Sequence, residues 1–227
     1  MKRSLSYFLL SLVVITFSFA SCRKNTTKPE PEPEPVNEPE LITTMKVYIQ
    51  DSITGLPVEG SPFTFKDADG DGGQPGAFLN NGKDSLIQLL SNRVYQCRIY
   101  LLDESKSPVD TISNAIAGEE GYEHMVFYNE GQALIANGNT VLKAGYPNYT
   151  VKLNGPNISI RYLDSDNGPA HGAATGNIGL ITMFRTNAPT SKNWPLIITL
   201  RHQPGSKGYN FSAGETDIEV TYKVKVN

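Results

Sequence analysis

The sequence lacks the excess of positive charge that nucleic-acid-binding proteins need. Its 227 residues include 20 Lys and Arg against 23 Asp and Glu, which gives a formal net charge of −3 at pH 7. Binding to a phosphate backbone depends on a basic face that neutralises phosphates. We therefore expect no nucleic-acid partner.

Motifs of the common catalytic classes are also missing. The chain has no Gly-x-Ser-x-Gly elbow, no P-loop and no dinucleotide-binding fingerprint. Nor does the sequence pair a cysteine with a histidine in a recognisable nucleophilic arrangement. We therefore expect neither an enzyme nor an organic cofactor.

Cysteine is scarce, since the chain has only Cys22 and Cys97. Cys22 ends an N-terminal signal segment and is expected to be modified, which leaves Cys97 without a disulfide partner. The domain must then be stabilised by its core rather than by disulfide bonds. Cys97 shares one face of a predicted strand with Tyr95, Ile99 and Leu101, so we expect a small buried residue rather than a nucleophile.

Sustained helical stripes are absent, and short segments of alternating apolar and polar residues take their place. Gly and Pro separate these segments at short intervals. The pattern predicts an all-β fold, an antiparallel β-sandwich of Greek-key or immunoglobulin-like type, over residues 41–227. The predicted strands are Met45 to Gln50, Phe63 to Phe65, Leu86 to Leu90, Val94 to Leu102, Glu123 to Tyr128, Ala133 to Ala136, Tyr149 to Leu153, Ile158 to Leu163, Ile178 to Arg185, Trp194 to His202 and Ile218 to Val226.

The N-terminal segment indicates export. Lys2 and Arg3 precede an apolar run from Leu9 to Phe19, which is typical of a secretory signal and too short for a membrane span. The ending Phe19-Ala20-Ser21-Cys22 resembles the lipobox of bacterial lipoproteins. That resemblance implies a signal peptide at residues 1–21 and acylation of Cys22. The alternative is an ordinary secretory signal with an incidental cysteine.

The residues after Cys22 bear on where the protein is held. Arg23 rather than Asp follows the cysteine, as in outer-membrane lipoproteins of enteric bacteria. We expect attachment to the outer membrane through the lipid, with the periplasmic or cell-surface face left open. Residues 22–40 are predicted to be a tether, because Pro29 to Pro35 alternates proline with glutamate and favours an extended chain.

Residues 41–227 resemble a group of small β-sandwich lipoproteins from Bacteroidota. Its members are often encoded beside TonB-dependent receptors, so the resemblance implies a function accessory to such a receptor. The shared segments are Asp67 to Gly73, Glu119 to His124, Asp164 to Asp166, Leu200 to Pro204 and Gly214 to Val220.

The first candidate metal site is the acidic loop with Asp67, Asp69 and Asp71. Alternate acids followed by Gly72 match the opening of a calcium loop, in which they supply oxygen ligands. The twelfth position is Phe78 rather than Glu, so a complete EF-hand is excluded. Calcium binding on a β-loop and a plain acidic turn both remain open.

The second candidate is a set of histidines and carboxylates. If the strand that carries His202 pairs with the segment that carries Glu215 and Asp217, two kinds of ligand meet at one end of a sheet. His124 and Glu123 are candidates for the same group. Imidazole with carboxylate suits zinc or another transition metal. The alternative is a pair of structural histidines.

Three tripeptides resemble the O-glycosylation pattern of Bacteroidota, in which a hydroxyl residue lies between Asp and an aliphatic residue. The candidate acceptors are Ser52, Ser85 and Thr111.

Together these features predict a non-catalytic outer-membrane lipoprotein. We expect it to bind a metal ion or a small metal-bearing ligand and to assist a TonB-dependent receptor. The alternative is a glycan-binding or adhesive module, with stacking aromatics at Tyr146, Tyr149, Trp194 and Tyr209. A structural surface protein without a small ligand is the third possibility, and the oligomeric state is open.

Overall fold

The computed structural model of the protein describes residues 40–70, 74–129, 150–152, 158–166, 176–208 and 211–227. The signal peptide, Cys22, almost all of the tether, Asp71 and the predicted strand Ala133 to Ala136 lie outside these ranges. No helix within the described ranges is long and apolar enough to cross a membrane.

The described residues form two β-sheets. The first sheet has the order β3-β2-β1-β5-β9-β8-β7, and the second has the order β4-β11-β10-β6. The strands are β1 (Thr44–Asp51), β2 (Phe63–Lys66), β3 (Ala77–Phe78), β4 (Leu86–Leu89), β5 (Val94–Leu102), β6 (His124–Asn129), β7 (Thr150–Lys152), β8 (Ile158–Tyr162), β9 (Ile181–Thr186), β10 (Trp194–His202) and β11 (Glu215–Val226).

The two sheets pack together as in a β-sandwich, which confirms the all-β prediction. Alternate residues of the strands point into the core, as the buried odd positions of β1 and β5 illustrate. Tyrosine hydroxyls connect the sheets: Tyr128 donates to the carbonyl oxygen of Gly179 at 2.6 Å, and Tyr162 donates to that of Val126 at 2.7 Å. These two hydrogen bonds therefore hold β6 against the first sheet.

Most strand pairs are antiparallel, but β4 and β11 run parallel. The prediction of an antiparallel sandwich is wrong for this pair. The two strands are far apart in sequence, so no hairpin turn dictates an antiparallel pairing. Ile87 and Leu89 still face the core, because the alternation is the same in either direction.

Local geometry shortens one predicted strand. The segment predicted from Ile178 becomes β9 only at Ile181, because Gly179 has a φ of +93° that interrupts the extended chain. The Asp164 carboxylate caps this break by accepting hydrogen bonds from the backbone N–H groups of Gly179 at 2.8 Å and Ile181 at 2.9 Å. Burial raises the pKa of Asp164.

Two short helical segments within the described ranges were not predicted. They are a 3-10 segment at Asn80–Ser85 and helix α1 at Ile112–Ala117. Each has six residues, which is less than two turns of α-helix and too short for a periodic stripe.

The structure confirms the prediction that Cys97 is a buried residue. Its side chain is 0% exposed. Burial raises the pKa of the thiol to about 12, so it is not ionised near neutral pH.

Candidate functional site

The two described histidines meet at one end of the second sheet. His124 begins β6 and lies directly opposite His202, the last residue of β10. Their rings stack with centroids 4.7 Å apart and planes 21° apart. Both lie on the same face of the second sheet as Tyr128 and Leu200, and the ring of Tyr128 contacts Phe184 of the first sheet, so both histidines point into the sandwich. Only 2% of His124 and 5% of His202 is exposed.

Hydrogen bonding determines the tautomer of His124. Its Nδ1 lies 3.1 Å from the backbone carbonyl oxygen of Glu120. A carbonyl only accepts, so Nδ1 carries the proton and donates it, and Nε2 presents a lone pair. Burial lowers the pKa of His124 to about 4, so the ring is neutral at pH 7. A neutral imidazole that donates from one nitrogen to a carbonyl is the usual form of a metal-ligating histidine.

The sequence periodicity of β11 alone would place Asp217 on the outer face with Glu219. The register between β10 and β11 shifts after Leu200, which pairs with Ile218, while Arg201 pairs with Thr216. Asp217 is the extra residue of a β-bulge and has no direct partner on β10. A bulge redirects a side chain, and here the Asp217 side chain is 0% exposed.

Asp217 points at His124. Its Oδ2 lies 3.6 Å from Nε2 of His124. Both carboxylate oxygens are buried without a hydrogen-bond partner among the described residues. Burial raises the pKa of Asp217 to about 7, and the nearby negative charge of Glu40 adds to the rise, while His202 and Arg201 oppose it. The site therefore holds a carboxylate that lacks a donor beside an imidazole lone pair.

Two further glutamates surround the histidines. Glu123 Oε2 lies 3.4 Å from Nε2 of His202. Burial raises the pKa of Glu120, and the charges of Glu40 and Glu123 raise it further. Its Oε2 is also buried without a hydrogen-bond partner within the described ranges. The excess of carboxylates makes this end of the sheet attractive to cations.

Glu215 does not join the buried group. It pairs with His202 in the strand register, so the pairing that could bring two kinds of ligand together does form. Its side chain is exposed.

A loop before β11 holds the bulge in place. Arg201 donates to the carbonyl oxygens of Ser212, at 3.3 Å, and Ala213, at 3.1 Å. Gly214 has a φ of +71°, and a Cβ there would lie 1.9 Å from the carbonyl oxygen of His202. Only glycine fits such a close crossing, so this loop positions the strand that carries Asp217.

The geometry falls short of a complete metal site. Within the described ranges, no group of three or more His, Cys, Asp or Glu side chains is arranged to hold a metal ion. The histidines and acids form two facing pairs, His124 with Asp217 and His202 with Glu123. Two ligands of one tetrahedral zinc ion lie roughly 3.3 Å apart when the bonds are about 2.0 Å long. Each pair is close to that spacing.

The acidic loop with Asp67, Asp69 and Asp71 shows fewer features of a metal site than the histidine group does. It follows β2, and Asp69 Oδ2 accepts a hydrogen bond from the backbone N–H of Gln74 at 3.2 Å. A carboxylate that closes its own loop is what an acidic turn requires. Asp67 belongs to the same loop, and Asp71 lies outside the described residues. Calcium binding here stays a prediction.

The candidate glycosylation residues all lie in turns or at the ends of elements. Ser52 is exposed in the turn after β1. Ser85 is half-buried, and its hydroxyl donates to the carbonyl oxygen of Gly82 at 2.7 Å. Thr111 precedes helix α1 and makes no side-chain capping bond. Glycosylation at these positions stays a prediction.

The predicted aromatic platform is only partly described. Trp194 is half-buried and packs against the core. Tyr146, Tyr149 and Tyr209 lie outside the described residues.

One buried ion pair beside the site was not predicted. Lys207 is 0% exposed, and its Nζ lies 2.8 Å from Asp166 Oδ2. The same ammonium group donates to the carbonyl oxygen of Gly121. The ion pair thus ties the β10–β11 loop to the β8–β9 loop. A single lysine in a turn gives no sequence signal for such burial, since lysines are usually exposed.

Comparisons with protein-family models, with curated proteins and with solved structures found no match for this chain.

Proposed function

We propose that the chain is an outer-membrane lipoprotein whose domain binds a divalent transition-metal ion, with zinc as the best-suited probe. The ligands are His124 and Asp217, joined by His202 and Glu123. No catalytic step is assigned to the site.

The pair of His124 and Asp217 carries the proposal. A neutral imidazole directs its lone pair at a buried carboxylate whose oxygens receive no hydrogen bond from the described residues. Leaving such oxygens unsatisfied is costly, and a cation between the two groups would remove that cost. A cation also relieves the repulsion between a lone pair and a carboxylate, and imidazole with carboxylate favours zinc over calcium.

The second pair would complete the coordination. His202 stacks on His124, and its Nε2 already faces Glu123. Because no three ligands converge within the described ranges, binding requires rotation of the His202 and Glu123 side chains toward the first pair. Glu123 retains 17% exposure, so its side chain has a route for that movement.

The cellular setting rests on the sequence. The lipobox-like ending at Cys22 supports attachment to the outer membrane through a lipid anchor. The tether of residues 22–40 supports an extended spacer between that anchor and the domain. The shared motifs support membership of the Bacteroidota lipoprotein group and action beside a TonB-dependent receptor. A Greek-key or immunoglobulin-like arrangement of the two sheets belongs to the same proposal. Mass spectrometry of the native protein tests the anchor, and an unmodified Cys22 would contradict it.

Zinc titration of the full-length protein, purified in detergent without chelator, tests the metal site. We expect saturable binding of one zinc ion per chain. Asp217→Asn and His124→Gln each remove one ligand, so each should weaken zinc binding by at least tenfold.

Glu215→Gln is the matched control for Asp217→Asn, since it removes an exposed carboxylate from the same strand. Zinc affinity should stay within about threefold in this control, because water and salt screen an exposed charge. Absence of zinc binding to the wild type, or equal effects of Asp217→Asn and Glu215→Gln, would overturn the proposal. Asp69→Asn should change calcium binding alone, if calcium binds in the acidic loop.

A glycan-binding module is the alternative. The described geometry adds no specific support for an aromatic platform, because Trp194 packs against the core. Glycan-array binding that is independent of zinc would favour this alternative.

A further inference from the structure

Part of the outer face of the first sheet carries positive charge that no ion pair within the described ranges compensates. The outward positions of β5, β8 and β9 include Arg98, Arg161 and Arg185, whose neighbours along each strand are buried in the core. Acidic residues are absent from the outward positions of these three strands. A basic surface of this kind contrasts with the net charge of −3 for the whole chain.

Two of the arginines line one pocket. In the register of β8 and β9, Arg161 pairs with Met183 and Ser159 pairs with Arg185. Arg161 and Arg185 thus occupy diagonal positions on one face, with Cα atoms roughly 7–8 Å apart. Together with Ser159 and Met183 they line a cavity of about 320 Å³.

The described residues do not neutralise these arginines. The ion pairs within the described ranges include none with Arg98, Arg161 or Arg185. The Nε of Arg161 is buried without a hydrogen-bond partner in the same ranges, and its Nη2 has a sulfur atom, Met183 Sδ, at 3.9 Å. A buried guanidinium N–H without an acceptor costs free energy, which an added acceptor would recover.

We propose that this pocket, lined by Ser159, Arg161, Met183 and Arg185, binds a tetrahedral oxyanion, the phosphate or sulfate group of a small ligand. Two guanidinium groups offer paired N–H donors that match the oxygens of such a group, and the Ser159 hydroxyl adds a third donor. The volume accommodates the charged group with an attached residue such as a sugar. The pocket lies on the other sheet from the histidine site and does not depend on the proposed metal function.

The test is calorimetric titration of the full-length protein in detergent with inorganic phosphate, inorganic sulfate and glucose 6-phosphate. Saturable binding in the micromolar to low millimolar range is expected for at least one of them. Arg161→Gln and Arg185→Gln should each weaken that binding by about tenfold or more, since a hydrogen bond to a charged group is lost. Tighter binding of the sugar ester than of phosphate would identify an esterified ligand, and equal binding would identify the free oxyanion.

Arg93→Gln is the matched control, because Arg93 borders the same sheet but pairs with Asp51 at 3.8 Å. This variant should bind the anion like the wild type. Equal weakening of binding in all three variants would show that the effect comes from the loss of positive charge in general, and this result would overturn the proposal. Absence of saturable binding to all three probes would also overturn it.

A measurement on the wild type avoids any doubt about folding of the variants. The side-chain Nε–H resonance of Arg161 should shift on addition of the bound anion, because the anion changes the electrostatic environment of a guanidinium that lines the pocket. An unchanged resonance at saturation would contradict the proposed pocket.

Discussion

His124 and Asp217 lie on strands that are not neighbours, yet Nε2 of one is 3.6 Å from Oδ2 of the other. β10 separates β6 from β11, and the two side chains meet across its end beside His202. The strands that carry them are roughly 10 Å apart, at about 4.8 Å per strand spacing. A cation bound between them would connect three strands at one end of the second sheet.

Zinc should therefore stabilise the folded domain. A ligand that binds only the folded state adds about 2.7 kcal/mol at a concentration one hundred times its dissociation constant. Urea unfolding with and without zinc measures this gain. We expect it to fall to about 1.4 kcal/mol or less in Asp217→Asn, whose zinc affinity is at least about tenfold weaker, but to persist in Glu215→Gln. A gain of equal size in both variants would place zinc elsewhere.

Zinc binding should release a proton whose amount depends on pH. The pKa of Asp217 is about 7, so this carboxyl is mostly protonated at pH 6 and must lose its proton to bind the metal. His124, with a pKa of about 4, is already neutral there and releases almost none. Asp217 should contribute nearly one proton per zinc ion at pH 6 and little above pH 8.

Calorimetry in buffers of different ionisation enthalpy measures that release. Asp217→Asn should bind zinc more weakly and release about one proton fewer at pH 6. Identical proton release in the wild type and this variant would show that Asp217 is not a ligand.

Gly214→Ala should destabilise the domain by about 2 kcal/mol or more. The added Cβ would lie 1.9 Å from the carbonyl oxygen of His202, at a residue whose φ of +71° already disfavours a side chain. Gly205→Ala is the matched control, because Gly205 has a φ of +65° with no atom within 4 Å of the added Cβ. Urea unfolding should show a loss of about 1 kcal/mol there, and equal losses would contradict the close crossing.

Asp164→Asn should destabilise the β8–β9 connection by about 1–3 kcal/mol. The two N–H groups donate to different oxygens of the carboxylate, and an amide has only one oxygen that can accept. Burial raises the pKa of Asp164 above 3.8 in the folded state, so the folded protein holds this proton to higher pH than the unfolded chain. The contribution of that proton to stability is complete below pH 3.8 and is lost as pH rises through the folded pKa.

The free-energy difference between wild type and Asp164→Asn should accordingly shrink as pH rises above 3.8 and through the folded pKa of Asp164. Unfolding by urea at several pH values measures it. A difference that grows with pH would indicate a lowered pKa instead.

Alternation along the sequence determined much of the fold, because strand periodicity is a local property. The bounds of β5 and β10 follow from the sequence pattern alone, and so does the burial of Cys97. The pairing of the strand that carries His202 with the segment that carries Glu215 was only a condition of the metal hypothesis, and the structure meets that condition. An inward set of apolar residues specifies a strand and its faces without reference to distant residues.

Only the tertiary structure decided how the site is assembled. Periodicity places Asp217 outward with Glu219, and the register shift beside Leu200 turns it inward toward His124. The pairing of β6 with β10 and the parallel pairing of β4 with β11 likewise join residues that are far apart in sequence. Burial of Lys207 depends on Asp166, a partner from another loop. Such contacts depend on long-range packing and register, which a local pattern of polar and apolar residues does not encode.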